Sequence, residues 1–381
     1  MSEESFGAIC KILESEEPAR ALDLLIARYR EAKQYPRWFQ ARMVRTRLQM
    51  GLPLIQADGG AEIPPEAHAA YEQALLEAAR ETGGLFLADG DIPNAWTYLR
   101  ATGDSALVAE AMERIEPGEG DAEAVIGIAL QEGVNPARGL ELIFQRHGIC
   151  RTLTAFGMYG GEKDRQRCLA FLTRSLHAEL RESLARAIER QEGVKPENAS
   201  VPEMIAGRGW LFGEYSTYVD TSHLVSLLHL CPEVTGPRTL ELLHELCEYG
   251  KRLAPMFQGA GPPPFEDLYV DADHYVLALA GVDLESHLEH FRRKVRESAS
   301  GALHAQALVR LLLRRGMCQE AAEVAIEHFP AAGALELLCP TAVELCRLAG
   351  RFDLLKQLAR DQGDELNYVA ASLELNRKPK A

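Results

Sequence analysis

The chain has little of what β-sheets are built from. Long alternating runs of Val, Ile and Thr against polar residues are missing, and β-branched residues are scarce beside Leu and Ala. That excludes a sheet-based architecture and points to an all-α fold. No apolar run approaches the length of a bilayer span, so no integral membrane protein is expected. Positive charge is short as well: 41 basic against 56 acidic residues leave a net charge of -15, which opposes binding to nucleic acid. The densest basic group, Arg292, Arg293, Lys294 and Arg296, stands beside Glu289 and Glu297 and reads as a solvated helix face. The opening MSEESFGAICKILESEEPAR has no basic region followed by an apolar stretch, so no secretory signal is expected and the protein is placed in the cytoplasm.

Familiar catalytic signatures are absent too. There is no His-Glu-x-x-His, Gly-x-Ser-x-Gly, Walker loop or dinucleotide fingerprint. The segment 157–163, GMYGGEK, has no strand before it and no Ser or Thr after its Lys, and reads as a connection. Glu241-x-x-His244 occurs as a single pair where a di-iron bundle needs two, and reads as a helix-surface pair. The eight cysteines include no Cys-x-x-Cys, and most fall inside apolar helical patterns as small hydrophobes. Pro340 between Cys339 and Cys346 argues against a shared metal site there. With 381 residues, 47% hydrophobic and 25% charged, the chain can bury one large core or two to three smaller ones.

What the sequence does contain is helical periodicity. Residues 19–50 give an amphipathic pair broken at Tyr35-Pro36, with Pro18 in the first turn of its helix. Residues 56–67 form a Gly/Pro loop, and HAAYEQALLEAARETG is a further helix. Three glycines set a rhythm: Gly90 with Ala95 and Leu99, Gly316 with Ala321 and Ala325, and Gly350 with Leu355 and Ala359. Small residues at those offsets let paired helices approach closely. A second likeness runs from Pro18-Ala19-Arg20-Ala21-Leu22-Asp23-Leu24 to Pro136-Ala137-Arg138-Gly139-Leu140-Glu141-Leu142.

On GDIPNAWTYL, RGMCQEAAEVA and the spacing of 34 between Gly316 and Gly350, the chain resembles the tetratricopeptide-repeat and related helical-hairpin solenoids, over roughly residues 15–150 and 302–365. The aromatic and proline positions of that family are mostly missing. The resemblance implies a solenoid-like stack of antiparallel hairpins with a concave face that holds a protein or peptide partner. Three regions are expected: hairpin repeats over 1–156, a larger central helical segment over 157–300, and hairpin repeats over 301–381.

The central segment opens on a long helix whose Leu172, Leu176, Leu180, Leu184 and Ile188 form one stripe, with His177 at its flank facing either the core or a pocket. It then presents GRGWLFGEYSTYVDTSHLVSLLHL, and the unit recurs fifty-one residues on: Tyr218, Val219, Asp220, His223, Val225 and Leu228 return as Tyr269, Val270, Asp271, His274, Val276 and Leu279. Each Asp stands where an N-cap is favoured, so Asp220 and Asp271 are expected to cap helices carrying His223 and His274. Two such units packed together would gather two carboxylates and two imidazoles, a set suited to zinc, manganese or iron. Ordinary caps and backbone-bonded histidines account for the same residues without a metal.

Around this unit, Arg208, Trp210, Tyr215 and Tyr269 are candidate ligand contacts, and Glu214, Tyr218 and His177 candidate acid/base groups. Arg208 pairing with Glu214 and aromatics packed as core are the plainer readings. Asp271 with Asp273 offers a further acid and base. The Pro/Gly-dense 258–267 lies where it can shape a pocket, and His287 and His290, three apart with Glu289 between, permit joint ligation but read as solvent-facing. The leading reading is a partner-binding helical protein; the alternative is a metal-dependent hydrolase with Asp220, His223, Asp271 and His274 as ligands.

Overall fold

The computed structural model describes residues 19–55, 63–114, 120–258, 261–297, 301–329 and 338–377, with scattered positions at 6, 9–10, 12–14, 116 and 118. Among them are eighteen α-helices and no strand. None is long and apolar enough to cross a membrane. Pro18, most of the 56–67 loop, and Gly259 and Ala260 of the proline-rich loop lie outside the described residues.

The chain divides into two compact units, one of residues 1–146 and 155–165 and one of 147–154 and 166–381. The boundary expected at 300–301 falls inside the second. In the first unit, α1 (Ala19–Glu31), α2 (Tyr35–Gln49), α3 (Pro65–Ala88), α4 (Ile92–Leu99) and α5 (Ser105–Arg114) each pack on the next. α6 (Ala122–Ile126) follows, and α7 (Pro136–Met158) opens on Pro136 behind an Asn135 cap, is kinked at Gly148, and has its residues 147–154 in the second unit. The second unit holds α8 (Arg165–Glu192) from Gln166 onward, α9 (Val201–Ile205), α10 (Thr221–Leu228), α11 (Pro237–Gly250), α12 (Leu268–Ala280), α13 (Leu284–Glu297), α14 (Gly301–Arg314), α15 (Cys318–His328), α16 (Ala342–Leu348), α17 (Phe352–Gln362) and α18 (Glu365–Leu375). From α11 on, each of these helices packs on the next.

The glycine rhythm is a recurrent helix stop. Gly90, Gly316 and Gly350 have φ of 82°, 75° and 65°, a left-handed conformation that costs a residue with a Cβ. In each turn the next amide reaches back to the carbonyl five residues earlier: Asp91 to Phe86 at 2.9 Å, Met317 to Leu312 at 2.8 Å and Arg351 to Cys346 at 2.9 Å. That is the Schellman bond, which satisfies a carbonyl the helix end leaves open. The following helix then buries Ala95 and Leu99, Ala321 and Ala325, or Leu355 and Ala359, all at most 3% exposed.

The leucine stripe of α8 is core throughout, from Leu172 to Ile188. The cysteines are more divided than expected: Cys168, Cys231, Cys247 and Cys346 are buried, but Cys10 and Cys150 are exposed. Of segment 157–163, Gly157 and Met158 end α7 and the rest is a connection, held by Lys163 Nζ donating to the Val134 carbonyl at 2.6 Å.

Candidate functional site

Four consecutive helices of the second unit bring an unusual number of ionisable groups together. α11 supplies His244 and Glu248, with Lys251 at its C-terminal cap; α12 supplies Asp271, Asp273 and His274; α13 supplies His287, His290 and Lys294; α14 supplies His304. Close approach of the first pair depends on Gly250, because a Cβ there would lie 2.1 Å from the Tyr269 ring. α12 and α13 fold back at Gly281, φ 79°. Asp271 and His290 stand ten and nine residues from Gly281 on either side, and His274 and His287 seven and six, so the hairpin places each pair face to face.

One half of the network centres on Asp271, 1% exposed. Its Oδ1 accepts from His290 Nε2 at 2.8 Å and its Oδ2 from Lys294 Nζ at 2.6 Å and the Asp267 amide at 2.9 Å. Lys294 also reaches Glu266 at 2.5 Å and the Pro264 carbonyl at 3.0 Å, and His304 Nε2 lies 2.7 Å from the other Glu266 oxygen. Burial opposes ionisation of Glu266, yet the bonds from Lys294 and His304 outweigh it and hold the carboxyl at about 2. The proline-rich loop thus closes over this half through Glu266 and Pro264.

His274 links the halves. Its Nδ1 lies 2.8 Å from Nδ1 of His287, and its ring stacks on His290 with centroids 3.9 Å apart and planes 3° from parallel. Two Nδ1 atoms at that distance share one proton, so the pair is neutral or singly charged. Burial first, then the neighbouring His290 and His287, push His274 down to about 4; burial also lowers His287.

The other half centres on Asp273, 6% exposed. His244 Nδ1 donates to its Oδ1 at 2.6 Å, and Lys251 Nζ to its Oδ2 at 2.9 Å while also pairing with Glu248. Burial opposes the charge on Asp273, but those two bonds prevail and lower its pKa; the bond to Asp273 raises that of His244. His244, Glu248 and Asp273 form the candidate metal-ligating set among the described residues, their donor atoms within 4.8 Å of one another.

The predicted four-ligand site is not the set brought together. Asp220 does cap α10, its carboxylate accepting from the Ser222 amide at 2.8 Å. Asp271 does not cap. α12 begins at Leu268, four residues earlier than the echo suggests, because buried Leu268 and Tyr269 extend its apolar face, whereas Gly213, Ser216 and Thr217 keep the first copy non-helical. His274 is therefore deeper in its helix than His223 in its own, and the two copies are not equivalent.

Several other expectations change. His287 and His290 are not solvent-facing: His290 is 11% exposed at its side chain. Lys294 is likewise drawn off the supposed solvated face into the network. Arg208 pairs with Glu192 through two bonds of 2.7 and 2.9 Å, not with Glu214, which is exposed. Tyr269 is buried, its hydroxyl donating to the Phe257 carbonyl at 3.3 Å and pushed up to about 12 by burial. His177 faces the core, its Nε2 donating to Glu245 at 2.9 Å.

Trp210 and Tyr215, in contrast, are surface residues, 44% and 74% exposed. The same segment supplies Thr217 and Tyr218 as one wall of a cleft of about 670 Å³, faced by Ser183, Arg186, Glu189 and Arg190 of α8. No family model, curated protein or solved structure matches this chain.

Proposed function

We propose that this is a cytoplasmic helical-hairpin protein that holds a segment of another protein, with the Gly207–Asp220 stretch and the adjoining α8 cleft as its contact surface. The observation that carries the reading is the exposure of Trp210 and Tyr215 in the segment whose Thr217 and Tyr218 wall a cleft opposite Arg186 and Arg190. Trp, Tyr and Arg are the side chains that anchor protein interfaces, and large exposed aromatics cost water-ordering free energy unless a partner covers them. A chain of net charge -15 that sets two arginines and one glutamate around a cleft favours an acidic segment there. The recurrent glycine-stopped hairpins support the likeness to helical-repeat proteins, whose concave faces do this work.

A random peptide library displayed on phage and panned on the full chain tests the reading. Convergence on carboxylate-bearing sequences is expected, abolished when Arg186→Glu and Arg190→Glu are combined. No convergence, or convergence untouched by the double variant, contradicts it.

A further inference from the structure

Beyond partner binding, the geometry points to a divalent-metal site formed by His244, Glu248 and Asp273, in which Lys251 serves as the stand-in cation. The donor set is one imidazole and two carboxylates, contributed by two helices and converging within 4.8 Å. His244 and Glu248 are one helical turn apart on α11, the spacing that puts two side chains on one face, and Asp273 meets them from α12. One nitrogen and two oxygens suit manganese, iron or zinc.

The Lys251 ammonium sits between the two carboxylates, where an ion would sit, so the pocket already balances their charge with a cation. That cation is on a flexible side chain, 29% exposed, at the rim of the site, and it can swing to solvent when an ion takes its place. Asp273 is fixed by burial, while His244 and Glu248, each 34% exposed at the side chain, leave a route from solvent. The set differs from the one the duplicated unit suggested and shares none of its four residues.

Manganese chloride titrated into the full chain, with free ion followed by electron paramagnetic resonance, decides the matter, because isolated thiols and single surface histidines are poor manganese ligands. One ion per chain is expected. Glu248→Gln should bind roughly tenfold or more weakly and Lys251→Met roughly tenfold or more tightly, with helicity by circular dichroism unchanged in both. Glu241→Gln on the same helix, whose carboxylate pairs with Arg238 at 2.7 Å, should bind as the parent does. No uptake by the parent chain overturns the assignment. So does uptake equal in parent and variants, which marks an adventitious ion only, and so does a Lys251→Met protein that is folded but binds no more tightly.

Discussion

Asp271 and Asp220 occupy matching places in the duplicated unit, yet their energetic roles differ by burial. Asp220 is an exposed cap, and Asp220→Ala should cost about 1 kcal/mol. Asp271→Asn leaves Lys294 and His290 inside with a neutral partner, and a buried pair broken this way costs about 3 kcal/mol. Urea midpoints of the two variants should therefore separate clearly; equal midpoints would mean that Asp271 is solvated. His274 adds a pH dependence. Its folded value, about 4, lies below the unfolded one of about 6.5, so the stability it contributes is complete above the latter and lost as pH falls toward the former. After discounting for solvent screening of a half-exposed ring, that is roughly 1–2 kcal/mol. His244 is raised and works in the opposite sense, contributing stability below its unfolded value that is lost as pH rises through its folded one. Replacing His274 with Gln should flatten the acid limb of stability against pH, measured by urea unfolding between neutrality and pH 4; an unchanged slope would show the ring to be ordinarily solvated.

At the scale of elements, two glycines make opposite demands. Gly350 needs its left-handed φ of 65° and meets no atom within 4 Å of an added Cβ, so Gly350→Ala should cost only the conformational strain, about 1 kcal/mol. Gly250 ends a helix, where Ala would ordinarily be the better residue, but an added methyl meets the Tyr269 ring at 2.1 Å. Overpacking should win there, with a loss of about 2 kcal/mol or more in thermal or urea unfolding. A stabilised Gly250→Ala protein would show that α11 and α12 can part without penalty. Much of this level is legible in sequence: the glycine rhythm marks hairpin stops, and the α8 leucines mark a core stripe. The network was hidden because its partners are set by the hairpin, not by local spacing. Asp271 with His290 and His274 with His287 become readable only once Gly281 is taken as the fold-back point. By local spacing alone His287, His290 and Lys294 lie on a polar helix face, and it is the hairpin that covers it.

The whole molecule separates two kinds of surface. The second unit buries charge between α11, α12, α13 and α14 under a proline-rich loop, and it exposes aromatic residues in the Gly207–Asp220 segment. The sequence held both ingredients in one stretch and suggested joining them into one pocket; instead Trp210 and Tyr215 face solvent while the acids and histidines of α12 face their neighbours. Aromatic density alone does not say which way a segment turns, because core and interface draw on the same side chains. The most direct test of partner binding puts a photo-crosslinking amino acid in place of Tyr215, in the cells that make the protein. The account predicts a discrete protein adduct that is lost when Arg186→Glu and Arg190→Glu are added. An absence of adducts, or adducts indifferent to the two arginines, would contradict it.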